Sequence, residues 1–351
     1  MLHKKLIQNS TIQELIAQNN FADAAKQLLE NQKQTWKQLR DGYESLKQIK
    51  TKTFQFDGFT MNLQFNPGRY VSTTAKVDEV SINNRICFLC PANLPEEQKG
   101  ILCDNEYLIL GNPFPIFPEH FTIPNINHVP QQIRNNFPLM MKLTKDLSKH
   151  YVVLYNGPKC GASAPDHFHF QAGTKNFMPI MNDFHQLKNE YGELLFENDE
   201  LTVFAIDDGI RRIISLESMN NQKLAEVFDK LYEIYSSVSG NDEEPMMNII
   251  SSYWESTPSE EEEFGWSVIV FLREKHRSSH YFAEGDEKIL LSAASIDLGG
   301  VCITPLEKDF ERMNKELLAE IVSEVALNKN SFALVKQKIV QILKFGKNFF
   351  K

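Results

Sequence analysis

The chain has 351 residues, and at roughly 150 residues per domain two domains are the prior. Hydrophobic residues make up 42%, with 25 phenylalanines, which is ample for a sizeable core and excludes disorder as the main state. The net charge is −9 with no basic stripe, which excludes a general affinity for nucleic acid, and no run approaches the ~18 to 20 apolar residues of a membrane span.

The first residues, MLHKKLIQNSTIQEL, contain no apolar signal core, so secretion is not expected. Five cysteines, Cys87, Cys90, Cys103, Cys160 and Cys302, form an odd set. A disulfide framework is disfavoured at this length, and a cytoplasmic location is expected. Cys87 and Cys90 form a CxxC pair, which in a reducing setting suggests metal or redox chemistry.

Residues 1–50 read as a helical extension. Thr11 and Glu14 are spaced as a capping box, and Leu15, Ile16, Phe21, Ala24, Ala25 and Leu28 recur at helical spacing. A second amphipathic stretch runs from Gln32 to Ile49. From Thr53 the period becomes two, and Asp57-Gly58 marks a turn between strands. Phe65 to Asp78 reads as a polar loop carrying Arg69 and Lys76. Strands follow at Tyr107–Leu110 and Phe121–Ile123, a helix at Pro130–His150, then strands at Val152–Tyr155 and Phe168–Ala172.

The second half repeats that order. DNEYLIL at Asp104 resembles NDELTVF at Asn198. A strand at Arg212–Ser215, a helix at Asn221–Ser237 and strands at Met246–Ser251 and Trp266–Phe271 come next. Glu260–Glu263 reads as a solvated loop, and helices near Glu307–Val325 and the C-terminus close the chain. The expected fold class is α+β, as two tandem units with antiparallel sheets and flanking helices. The expected boundaries are 1–50 for the extension, 51–185 for the first unit and 186–351 for the second.

The chemistry concentrates in YNGPKCGASAPDHFHFQAG, Tyr155 to Gly173. On a strand, His167, His169 and Gln171 share one face while Phe168 and Phe170 face the core. Upstream lie Asn156, Gly157, Gly161 and Ser163. Glycines there let backbone approach a phosphate, and Ser163 can donate to its oxygens.

This segment resembles the transferase branch of the histidine-triad superfamily, which carries His-x-His-x-Gln. HFHFQA and Ser295–Met313 are similar to the GDP-hexose phosphorylase form, and Leu110–His128 resembles the family's nucleotide-pocket strands. The likeness spans about residues 65–325, and one departure is that His167 follows Ser163 by four positions. The resemblance implies that His169 is the nucleophile, forming a nucleotidyl-histidine. It implies that the His167 carbonyl fixes its tautomer, and that Gln171 donates to phosphoryl oxygens. Asn112 and Phe114 match the base and ribose pocket. Phosphoryl transfer calls for cations, and Arg69, Arg85, Arg273, Lys275 and Arg277 are the candidates.

In some family members two Cys and two His hold a structural zinc. The matching set is Cys87, Cys90, His120 and His167, with His128 in reserve. No organic cofactor is expected. The second unit lacks the His row and should be a catalytically silent scaffold. The expected activity is a nucleotidyltransferase or phosphorylase acting on a nucleotide sugar, GDP-hexose-like, or on a dinucleoside polyphosphate. The acceptor would be phosphate or a sugar phosphate. A non-catalytic nucleotide-sensing protein of the same fold is the alternative. Neither nucleic acid nor a membrane is an expected partner, and a homodimer is left open.

Overall fold

The computed structural model describes residues 2–240, 243–254 and 265–345. Three helices come first: α1 (Ser10–Ala17), α2 (Phe21–Thr35) and α3 (Lys37–Ser45). Helix α1 begins two residues earlier than expected, because the Asn9 side chain accepts from the Ile12 N–H at 3.2 Å and caps it. Thr11 is therefore inside the helix and forms no capping box. The second amphipathic stretch is broken at Trp36, which is extended and separates α2 from α3.

Strands β1 (Lys50–Gln55) and β2 (Thr60–Phe65) form the expected hairpin, with Gly58 at φ +71° in its turn. The expected polar loop instead holds a short helix, α4 (Tyr70–Thr73), and another, α5 (Glu79–Asn84), follows directly after that loop. Strands β3 (Gly100–Cys103), β4 (Tyr107–Gly111) and β5 (His120–Pro124) precede α6 (Phe137–Asp146). That helix starts seven residues later than expected, with a proline in its first turn where the missing N–H costs nothing. β6 (Tyr151–Asn156) and β7 (His169–Thr174) complete the first unit.

After α7 (Ile180–Tyr191) the order recurs: β8 (Gly192–Asn198), β9 (Leu201–Asp207), β10 (Arg212–Ser218), α8 (Asn221–Ser239), β11 (Met247–Trp254) and β12 (Gly265–Leu272). A last strand, β13 (Val301–Thr304), runs parallel to β2. The expected helix over 307–325 is two, Glu307–Arg312 and Lys315–Val325, and a third covers Lys329–Phe345. Glu260–Glu263 lies outside the described residues.

The two units share one antiparallel sheet of ten strands, in the order β3-β4-β5-β7-β6-β11-β12-β10-β9-β8. Its halves mirror one another about the β6–β11 pair, where Asn156 faces Asn248. Alternation assigns the two faces. Val153, Tyr155, Phe168 and Phe170 join the core under α1–α3, α6, α8 and the C-terminal helix, while Val152 and Leu154 join a second core under β2, β13 and α7. Phe137 of α6 and Phe228 of α8 stack at 3.8 Å between centroids, so equivalent helices of the two units meet on the first face. His169 and Gln171 consequently emerge on the other face. Among the described residues, no helix is long and apolar enough to cross a membrane.

Candidate active site

His169 opens β7 and is 4% exposed. Its Nδ1–H donates to the His167 carbonyl at 2.8 Å, which leaves the Nε2 lone pair unprotonated. Burial lowers its pKa to about 4, so the ring is neutral at pH 7 and able to attack.

The backbone around it is held by Gln131, a fully buried side chain that sequence reasoning missed inside the expected 130–150 helix. The paired register of β6 with β7 ends at Leu154–Gln171, and two residues on Asn156 lies opposite His169. Gln131 fills that opening. Its Oε1 accepts from the His169 N–H at 2.8 Å, and its Nε2 donates to the carbonyls of Asn156 at 2.9 Å and His169 at 3.0 Å. Two residues along, the Ile133 N–H donates at 2.6 Å to Glu244 of the second unit, which also accepts from the Tyr155 hydroxyl at 2.6 Å. Burial pushes the Glu244 carboxyl up to about 7.

His120, expected as a zinc ligand, sits elsewhere. Its ring is fully buried; Nδ1 accepts from the Ile116 N–H at 3.2 Å, so Nε2–H donates to Gln171 Oε1 at 2.9 Å. Burial, then the nearby Arg69 charge, takes its pKa down to about 3 and keeps it neutral. With Gln171 Oε1 engaged, the Gln171 amide presents its N–H groups as donors. Tyr43 of α3 grips the His120 backbone, its hydroxyl accepting from the N–H at 2.9 Å and donating to the carbonyl at 3.1 Å.

The expected metal position is taken by His128. Ligand atoms of Cys87, Cys90, His128 and His167 all lie within 4.8 Å of one another. Cys87 Sγ and His167 Nδ1 are 3.3 Å apart, Cys90 Sγ and His128 Nδ1 3.3 Å, and Cys90 Sγ and His167 Nδ1 3.5 Å. His167 Nε2–H donates to the Asn125 carbonyl at 2.7 Å, turning the Nδ1 lone pair toward the sulfurs, and His128 Nε2 lies 3.5 Å from Asp166. Burial and the adjacent Cys87 push the Cys90 thiol up to about 11.

His169 and Gln171 line a cavity of about 570 Å³. Asn112, Phe114, Ser163, Arg69 and Arg85 line it too, together with Lys76 and Trp36. Asn112 Oδ1 accepts from the Phe114 N–H at 2.9 Å, and its amide donates to Thr122 at 3.2 Å. Arg69 donates to the Phe114 carbonyl at 2.8 Å, and burial lowers its pKa to about 10. Arg85 pairs with Asp166. Trp36 shows that the N-terminal extension, in which the sequence showed no chemistry, forms part of the cavity wall.

Six other sequence candidates do not line the cavity. Arg273 is buried, its guanidinium donating to Asn248 Oδ1 at 2.8 Å and to the carbonyls of Ala293 at 2.7 Å, Lys275 at 3.1 Å and His276 at 2.8 Å. Lys275 pairs with Glu324 at 3.1 Å. Arg277 stands behind the wall, donating to Ser292 at 3.0 Å. Asn156 Oδ1 accepts from Asn248 at 2.7 Å and from the Ser295 N–H at 2.8 Å. Gly157 and Gly161 serve close packing: a Cβ would sit 2.9 Å from the Met247 carbonyl at Gly157 and 2.6 Å from Ala294 Cβ at Gly161, whose φ is +90°.

Residues 28–174 match a domain of unknown function, DUF4922, and residues 187–346 match the GDPGP1-like, C-terminal domain. The solved structure of yeast Ap4A phosphorylase Apa2 superposes over 83% of this chain and 94% of its own, with a TM-score of 0.52 at 17% identity. The same enzyme in complex with Ap4A covers 85% and 97%, with a TM-score of 0.51 at 17% identity. Its complex with AMP covers 83% and 95%, with a TM-score of 0.52 at 16% identity. The chain therefore shares the fold of this phosphorylase. The two-unit α+β architecture expected from the sequence is borne out. No curated protein matches the chain significantly.

Proposed function

We propose that the chain is a phosphorylase-type nucleotidyltransferase that works through a nucleotidyl-histidine on His169. The first unit, residues 51–185, is catalytic, and residues 186–351 are its scaffold. The observation that carries this reading is the pair of fixed polarities in one cavity. His169 offers an Nε2 lone pair because Nδ1–H is held by a carbonyl, and Gln171 offers N–H donors because its oxygen is held by His120.

Nε2 of His169 attacks the α-phosphorus of a nucleotide, and the bond to the leaving phosphate breaks. Gln171 steadies the non-bridging oxygens, and Arg69, Lys76 and Arg85 offset the charge. An amide gives up no proton, so the leaving group is one that departs as an anion, namely a phosphate ester. That suits a GDP-hexose-like nucleotide sugar or a dinucleoside polyphosphate. An oxygen of phosphate or of a sugar phosphate then displaces the histidine and restores the neutral ring. The fold shared with an enzyme solved with Ap4A and with AMP supports a nucleotide substrate.

Cys87, Cys90, His128 and His167 would hold a structural zinc. Zn–S near 2.3 Å and Zn–N near 2.0 Å in tetrahedral geometry place S and N donors about 3.5 Å apart, which the Cys–His spacings match. There the ion would brace the turn whose carbonyl orients His169. The unpaired thiols suit a reducing compartment, which we take to be the cytoplasm.

Product analysis of nucleotide sugars and dinucleoside polyphosphates, with and without phosphate, tests the reaction. Turnover that depends on phosphate and disappears in His169→Gly is expected. Equal turnover in water and phosphate would overturn the phosphorylase assignment.

A further inference from the structure

Gln98 is 7% exposed, and its side-chain amide has no hydrogen-bond partner among the described residues, yet it lines the same cavity as His169. Its amide atoms keep access to the cavity and can pair with what occupies it. Its surroundings are apolar. Leu94 packs with Leu110 of β4, and Pro95 and Leu110 share the cavity lining with Gln98. The Gln32 side chain accepts from the Lys99 N–H at 2.8 Å, which sets the end of α2 against this segment. Trp36, one helical turn past Gln32, thereby comes beside Gln98 and supplies an aromatic wall.

The phosphate-binding groups are at the other end. In the order β3-β4-β5-β7, Gln98 immediately precedes β3 and His169 opens β7. The ladder sets Gly100 level with Leu110, Thr122 and Gln171, so Gln98 lies about four residues, or about 13 Å, along the strands from His169 as well as three strand steps of about 4.8 Å across, about 19 Å in all. A nucleoside monophosphate, with the Gln98 and His169 side chains reaching toward it from either end, covers that span. Among the described residues no Asp or Glu lines the cavity, so none of their carboxylates competes for the donors of a base.

We infer that Gln98 reads the nucleobase, its amide pairing with an adjacent donor and acceptor on the base edge while Trp36 flanks the ring. The N-terminal extension is then part of the specificity pocket. This rests on the reading that the cavity binds a nucleotide. An amide suits guanine through O6 and N1–H, adenine through N1 and the N6 amino group, and uracil through O4 and N3–H, in one orientation or its flip. A carboxylate suits guanine alone among the three, through N1–H and the N2 amino group.

Equilibrium binding of GMP, AMP, UMP and ribose 5-phosphate to wild type, Gln98→Ala and Gln98→Glu tests the inference without turnover. Gln98→Ala should lose at least about fivefold for the preferred nucleotide, the effect of one paired amide, with ribose 5-phosphate unchanged. Gln98→Glu should raise the GMP-to-AMP affinity ratio by a similar factor. Base ratios identical in all three proteins would overturn the role of Gln98 while leaving the nucleotide site intact. Failure of wild type to bind any of the nucleotides would overturn both readings.

Discussion

Replacing Gln131 by Leu probes how the nucleophile is held. The side chains are similar in size, but the three hydrogen bonds that Gln131 makes to His169 N–H, His169 C=O and Asn156 C=O all disappear. The site is 1% exposed, so those backbone groups have little access to water. At the lower bound of about 1 kcal/mol per orphaned group, three groups cost about 3 kcal/mol of folding stability. Urea unfolding measures this as a shift in midpoint at constant slope. Gln131→Glu provides the internal control. An ionised Glu still accepts from the His169 N–H but turns an oxygen on two carbonyls, whereas a protonated Glu can donate to one of them. Its folded-state pKa is therefore raised, and its stability should recover as pH falls. If Gln131→Leu unfolds within about 0.5 kcal/mol of wild type, the strands are held some other way and the argument fails.

Elemental analysis of protein purified without chelator should find about one zinc per chain. His128→Ala should lose it and His120→Ala retain it; the reverse would restore the ligand set expected from sequence. Glu244 carries a pH signature. Its folded pKa, about 7, lies above its ordinary value near 4.5, so its contribution is full below that value and lost as pH rises through 7. An amide at that position cannot titrate, so Glu244→Gln should flatten the fall in stability between pH 5 and pH 8 seen in urea melts, and an unchanged slope would exonerate Glu244. Gln171→His, which restores a proton donor at the third position, should shift product ratios from phosphorolysis toward hydrolysis, and an unaltered ratio would count against the amide's role.

The order of elements along the chain and the repeat were legible because most strands are short apolar runs with turn residues between; β3, β8 and β13 went unread, and of the expected His row only His169 and Gln171 lie on β7, His167 falling in the bend before it. What escaped was side chains acting through their amide or hydroxyl from irregular segments. Gln131 had no periodic signal, and only Pro138, as a helix-start residue, argued that the chain before it was not helical. The Cys–His cluster matches the expected set in three members and differs in the fourth, because His120 opens β5 and His128 follows it, and spacing alone does not tell which end meets the CxxC turn. Arg273 and Arg277 carried the right charge in the wrong place. Buried among carbonyls, Arg273 binds the second unit to itself, a role that charge in a sequence does not distinguish from phosphate binding.

The central claim is that the His169 imidazole becomes covalently nucleotidylated. Incubation with α-³²P-labelled nucleotide sugars and dinucleoside polyphosphates in the absence of phosphate, followed by denaturing electrophoresis and peptide mapping, measures it directly. An acid-labile label on the peptide containing His169, discharged by added phosphate and missing from His169→Gly, is the predicted result. A label that persists in His169→Gly, or turnover of the same substrates with no label at His169, would contradict it.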